Sequence, residues 1–277
     1  MSTYYVRKSG NDSNGGTDPD TDAKLTIASA ISVSDDSDTI DIGEGSFSEA
    51  VGDGWSLTMQ GAGMYKTFVT DSTDGQRWSG ETITFKDINW ALTSASQFGG
   101  GYGITPSNIT FEDSVFDLSG FTNAIANFCY EPSTGSRQWH IIRSLFIGNA
   151  SFTSTCTYFF RWNNSGMTLE VEDSLFYNCY KTYLVGDFAD DPYSNITMRN
   201  TIVANFSGSA NDICTGGNAW GTEEYNCFYF DGLTVDKVPN GAVGTGTIVD
   251  QNPLFVDAEG KDFRLQASSP CIGAGHA

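Results

Sequence analysis

Basic residues are scarce in this chain. Its 277 residues include 14 Lys and Arg against 34 Asp and Glu, a formal net charge of -20. A phosphate-gripping surface needs Lys and Arg gathered on one face, so nucleic acid is excluded as an expected partner, and an acidic membrane surface with it. No run of 18 apolar residues is present that could span a bilayer. The opening Met1-Ser-Thr-Tyr-Tyr-Val6 lacks the basic-then-apolar order of a secretory leader, which leads us to expect synthesis in the cytosol. No Pro-rich, Gly/Ser-only or like-charge stretch divides the chain, and residues 1–277 read as one domain. Cysteine pairs at metal-binding spacing are missing as well. Cys129, Cys156, Cys179, Cys214, Cys227 and Cys271 contain no C-x-x-C, and His140 and His276 are too isolated to complete a zinc site. The six read as free, mostly buried thiols.

What is abundant points to strands. The chain has 31 Gly, 19 Phe, 12 Tyr and 6 Trp, with Ser, Thr and Asn covering most of the remaining surface. One phrase recurs: two alternating apolar residues, an acidic or amide residue, a small residue, then an apolar pair. It reads Ile83-Thr-Phe-Lys-Asp-Ile-Asn-Trp90, Ile109-Thr-Phe-Glu-Asp-Ser-Val-Phe116, Trp139-His-Ile-Ile-Arg-Ser-Leu-Phe146, Leu169-Glu-Val-Glu-Asp-Ser-Leu-Phe176 and Ile196-Thr-Met-Arg-Asn-Thr-Ile-Val203. Weaker copies start at Leu57 and Thr222. Steps of 26 to 30 residues mark a solenoid, and the period-2 apolar pattern within each unit makes it one of strands rather than helices.

The expected fold is therefore all-β: a single-stranded right-handed parallel β-helix with a short N-terminal helical cap. Residues 1–38 form the cap region, with the helix within Lys24–Ile31, and residues 239–277 a final coil and covering tail. Ile83/Phe85, Ile109/Phe111, Ile141, Leu169/Val171 and Ile196/Met198 are expected to point inward. Val115, Leu145, Leu175, Ile202 and Phe228 belong to second apolar elements that follow a sharp bend. Asp87, Asp113, Arg143, Asp173, Asn200 and Asn226 occupy that bend, where Asp and Asn suit left-handed backbone geometry. Stacked carboxylates repel, so Arg143 is expected to sit between Asp113 and Asp173 as a rung of an alternating charge ladder.

The opening Tyr4–Thr17, with Leu25–Ile31 and Asp38–Ile42, resembles the cap and first coil of pectate-lyase-like right-handed β-helix proteins. The closing Asn252–Asp257, Asp262–Leu265 and Ser269-Pro-Cys-Ile-Gly-Ala-Gly275 is similar to the terminal segment of many of that superfamily. The resemblance covers essentially the whole chain and implies architecture. It does not fix activity, because the superfamily holds lyases, hydrolases, adhesins and phage structural proteins. Its lyases use acidic calcium ligands and a basic residue, and its hydrolases use clustered aspartates.

Asp187, Asp190, Asp191, Arg161 and Arg199 are fragments of such sets, but none matches a signature that can be carried across, and no catalytic or cofactor-binding residue is assigned. Asp12, Asp18, Asp20 and Asp22 lack the glycine and terminal glutamate of an EF-hand and read as a flexible acidic turn, which leaves Ca2+ the one cofactor not excluded. Trp55, Trp78, Trp90, Trp139, Trp162 and Trp220 fit core stacking better than sugar contact. The excess of acid disfavours polyuronates. The expectation from these features is a non-enzymatic structural protein of a phage particle, capsid-decorating or virion-surface, made in the host cytoplasm and located in the virion. Its expected partners are capsid or other virion proteins, with a homotrimer through one lateral face and a surface glycan as further associations. The competing readings are a polysaccharide lyase or glycoside hydrolase, marked by a lateral groove with converging Asp/Glu and Arg, and a glycan-binding adhesin.

Overall fold

The computed structural model describes residues 1–49, 51, 55–71, 81–92, 108–120, 127–131, 137–149, 158–162, 167–179, 183–187, 195–205, 212–214, 220–231 and 243–276. They build a right-handed parallel β-helix in which each strand pairs with its counterpart one coil away. Sheet 1 has nine strands, from Thr3–Val6 and Asp38–Ile42 at one end to Asn195–Arg199 and Trp220–Glu224 at the other. Sheet 2 also has nine, from Gly45–Ser48 to Cys227–Phe230 and Ile248–Val249. Sheet 3 has four, Asn127–Glu131, Tyr158–Trp162, Tyr183–Asp187 and Asp212–Cys214.

The repeat phrase sets the register. In sheet 1, Ile40, Met59, Phe85, Phe111, Ile141, Val171 and Met198 follow one another in a single inward column. All are at most 1% exposed. Sheet 2 contributes Phe47, Val69, Trp90, Phe116, Phe146, Phe176, Val203 and Phe228. Here the rings of Phe116, Phe146 and Phe176 stack, with centroids 5.3 and 4.9 Å apart. Identical positions one coil apart hold like shapes, so planar rings pile up at the coil spacing and remove their faces from water together.

The bend between sheets 1 and 2 has a repeated construction. Asp87, Asp113, Arg143, Asp173 and Asn200 all have positive φ, from 47 to 53°. In the last full coil the position belongs to Tyr225 (φ 57°), not to Asn226. Thr222 pairs with Thr197 and Glu224 with Arg199, so this phrase stands one residue earlier than a start at Thr222 would put it. Asn226 instead joins the next column, Ser114, Ser144, Ser174 and Thr201, whose members are all buried. Each side chain there accepts the backbone N–H of the coil before it: Ser114 N to Ser144 Oγ (3.3 Å), Ser144 N to Ser174 Oγ (3.1 Å), Ser174 N to Thr201 Oγ1 (3.4 Å) and Thr201 N to Asn226 Oδ1 (2.9 Å). Each hydroxyl in turn donates to the carbonyl two residues back, at 2.7 to 2.9 Å. The kink takes these amides out of the sheet ladder, and the polar column satisfies them in an otherwise apolar interior.

At the N-terminal end the helix Ile27–Ile31 buries Ile27, Ala30 and Ile31 in the first coils. Thr26 caps it by accepting from Ser29 N, and the Glu49 carboxylate accepts from Ile27 N and Ala28 N. At the other end the apolar column of sheet 1 stops at Glu223, opposite Met198 and 8% exposed. Its carboxylate accepts from Asn226 Nδ2 (2.9 Å), Gly244 N (2.5 Å) and the Thr247 hydroxyl, which anchors the following segment over the end of the core.

Candidate functional site

Both faces of sheet 2 are apolar. Outward from it point Phe68, Asn89, Val115, Leu145, Leu175, Ile202 and Cys227 in one column, and Asp117, Ile147, Tyr177 and Ala204 in the next. A second apolar face needs a cover, and the C-terminal segment supplies it. The antiparallel hairpin of Phe255–Asp257 and Asp262–Leu265 lays Phe255, Ala258, Phe263 and Leu265 against Val115, Leu145, Ile147, Leu175, Tyr177, Ile202 and Ala204. The Phe263 ring meets Tyr177 at 5.0 Å, and the Tyr177 hydroxyl donates to Glu259 (3.2 Å). Burial and the Glu259 carboxylate push the Tyr177 hydroxyl up to about 12.

The hairpin ends before the apolar column does. Between its tip and the earlier coils lies a groove of about 540 Å3, floored by Val115, Leu145, Ile147 and Phe263 and edged by Tyr65, Asn89, Asp117, Lys261, Asp262 and Arg264. Tyr65 stands 72% exposed at its mouth. Lys261, at φ 63° in the hairpin turn, pairs its ammonium with Asp117 Oδ2 at 2.5 Å across 144 residues of sequence. The other carboxylate oxygen accepts from the Ser119 amide (3.0 Å) and hydroxyl (2.6 Å). Burial pushes the Asp117 carboxyl up, but the Lys261 ammonium and the two Ser119 donors outweigh it and hold the group below the usual carboxylate range. Asp262 is held low by the Arg264 guanidinium, which donates from Nε (2.8 Å) and Nη2 (2.5 Å).

The groove thus presents an apolar floor, an aromatic edge and two locally neutralised ion pairs. Both carboxyls are ionised at neutral pH, so neither has a proton to give to a leaving group. The arrangement can bind a polar ring with an apolar face, and it offers acceptors and donors in pairs.

The residues singled out from sequence fall elsewhere. Asp190 and Asp191 lie outside the described residues, as do the side chains of Arg161 and Asp187, whose strands pair one coil apart. Arg199 stands on the outer face of sheet 1 with Glu224 (3.5 Å) and Glu172 (4.0 Å). On the same face Lys86 and Arg143 both reach Glu112, and His140 pairs with Glu170. Arg143 does grip Asp113, at 2.7 Å from both Nε and Nη2, but Asp173 is bonded by Asn200 Nδ2 (3.0 Å). The charge ladder therefore runs in one direction only from Arg143.

The acidic turn is an ordered clamp rather than a flexible loop: Asp12 accepts from Leu25 N, Thr26 N and the Thr26 hydroxyl, Asp18 from Asp20 N and Thr21, and Asp22 from Gly15 N and Thr17. Among the described residues no group of three or more His, Cys, Asp or Glu is placed to hold a metal ion. Trp90 and Trp139 are in the core, and Trp55 is 40% exposed. Trp78 lies outside the described residues, as do the side chains of Trp162 and Trp220. Sequence reasoning passed over Tyr65, Asp117, Lys261 and Arg264. The available signal was the apolar pair in each second element, which implies burial on both faces and hence a covering segment.

No protein-family model matches the chain, and no curated protein matches it. Among solved structures, the chain is similar to a pectin methylesterase from carrot, at 15% identity and a TM-score of 0.46, covering 83% of this chain and 72% of that one. It is also similar to a pectin methylesterase mutant in complex with a hexasaccharide, at 15% identity and a TM-score of 0.37, covering 88% and 77%. These likenesses carry none of those proteins' site residues onto this chain. The expectation of a non-enzymatic, capsid-decorating or virion-surface phage protein is corrected: the two structures named are pectin methylesterases, and nothing in the comparisons supports a phage or capsid role.

Proposed function

We propose that this chain binds a neutral glycan in the groove between the C-terminal hairpin and the outer face of sheet 2. The observation that carries the reading is the exposed Tyr65 ring at the mouth of an apolar floor flanked by the Asp117–Lys261 and Asp262–Arg264 pairs. Sugar rings bury their C–H faces on aromatic and apolar surface while their hydroxyls exchange bonds with paired acceptors and donors. Local charge neutrality, in a protein of net charge -20, favours a glycan without carboxylates. The two depressed carboxyls, each held by a cation, favour binding over cleavage in this groove.

The test is titration calorimetry against a panel of neutral and acidic oligosaccharides, run on wild type and Tyr65→Ala. Neutral oligosaccharides are expected to bind, with Tyr65→Ala weakening affinity roughly tenfold, about 1.4 kcal/mol. Absence of binding to every neutral glycan, or full affinity in Tyr65→Ala, refutes the reading. Release of shortened chains or new reducing ends during the titration would reassign the groove to processing.

A further inference from the structure

The cover over sheet 2 returns to the coil from which it departs. After the hairpin, Gln266 N donates to Leu254 O (2.8 Å) and Ser269 Oγ to Pro253 O (2.5 Å). His276 N then donates to Asn200 Oδ1 (2.8 Å), beside the Tyr225 ring. This brings Cys271 over Cys227, and both line one small cavity of about 200 Å3 with Asn226, Ile248 and Leu265. Cys227 is the outward residue that follows Ile202 in its column and is 3% exposed. Cys271 is partly open to solvent. The third free thiol among the described residues, Cys179, is fully buried against the carbonyls of Phe146 and Tyr177 and faces neither.

We propose that Cys227 and Cys271 are a redox pair whose disulfide clasps the C-terminal cover onto the last coils. The Cys227 thiol donates to Gln251 O (3.7 Å), and the interaction of the two neighbouring thiols holds the solvent-facing Cys271 below its ordinary value while pushing the buried Cys227 up, which makes Cys271 the better thiolate. With a low-molecular-weight disulfide such as oxidised glutathione as oxidant, the Cys271 thiolate attacks one glutathione sulfur, that S–S bond breaks, and one glutathione thiolate leaves. Cys227 then loses its proton and attacks the Cys271 sulfur, forming the protein S–S bond and expelling the second glutathione. Two protein thiols lose two electrons and two protons, and one glutathione disulfide gains them. The loop so closed contains the whole hairpin, so the bond holds the returning foot of the cover, while pairing of Ile248–Val249 with sheet 2 holds the departing one. This inference stands apart from what the groove binds.

The test is to incubate the full chain with oxidised glutathione, alkylate the remaining thiols, and map peptides without reduction. The expected result is a linked peptide pair containing Cys227 and Cys271, and a melting midpoint raised by roughly 5–10 °C that reductant reverses. Cys271→Ser, at a partly exposed position, is expected to melt like reduced wild type and to lose the rise. Alkylation of both cysteines after oxidation overturns the proposal, as does a Cys271 linked only to glutathione or to another cysteine. The peptide map on wild type decides the matter even if the variant fails to fold.

Discussion

Replacing Lys261 with Met tests the groove and the attachment of the cover together. In the native protein the Asp117 side chain is 18% exposed and its Lys261 partner 46% exposed. Because half of the lysine is in water, the pair lies between an exposed ion pair, worth at most about 1 kcal/mol, and a desolvated charge-assisted bond of roughly 1.5–3 kcal/mol. We expect Lys261→Met to cost about 1–2 kcal/mol at neutral pH, a fall in melting midpoint of roughly 3–6 °C. The pH dependence fixes the cause. The folded protein holds the Asp117 carboxyl below its ordinary value of 3.8, so the stabilisation it brings is fully present above that value and is lost as pH falls through the lower, folded one. The difference between wild type and variant should therefore be full near neutral pH and shrink as the pH falls through the ordinary carboxylate range and below it. Urea melts followed by circular dichroism over that range measure it. Asp117→Asn in the Lys261→Met background should recover part of the loss, because the unpaired carboxylate is what the single variant leaves behind. A deficit unchanged in acid, or none at neutral pH, would refute the ion pair as the latch of the hairpin tip.

Two further outcomes follow from the packing of the coils. Ser174→Ala removes the acceptor for the buried Ser144 amide and should destabilise by about 1–3 kcal/mol in urea melts, whereas Ser32→Ala, at an exposed position, should be near neutral. Phe146→Ala empties the centre of the Phe116–Phe146–Phe176 stack and should cost about 3–5 kcal/mol, with coupling to Phe176→Ala of about 0.5–1.5 kcal/mol and none to Phe47→Ala, which lies in the first coils.

The coil architecture was legible because every coil repeats the same environment, and a pattern read five times is hard to misplace. Asp87, Asp113, Arg143, Asp173 and Asn200 were aligned correctly at the bend for that reason. The sixth position failed because Thr222, Glu223 and Glu224 carry no apolar alternation to fix the start of that phrase, and Asn226 suits a bend as well as it suits the buried column where it stands. The buried serines were seen only as small residues, since a hydroxyl that bonds between coils looks in sequence like any turn serine. A covering tail was legible, but the place of the groove beside it was not. It arises where Lys261 meets Asp117, a contact between a tail and a coil far away in the chain, and its position depends on how far the hairpin reaches. Sequence periodicity speaks for what recurs and is silent about a contact made once.

Glu223 limits what can stack on this solenoid. A stack of like coils can in principle accept another coil, or the end of a second molecule, and grow into a fibre. Here the column that would have to continue holds a carboxylate whose oxygens are already bound by Asn226, Gly244 and Thr247. A newcomer at this column would have to bury a carboxyl group stripped of those donors, which makes the addition of a further coil there costly.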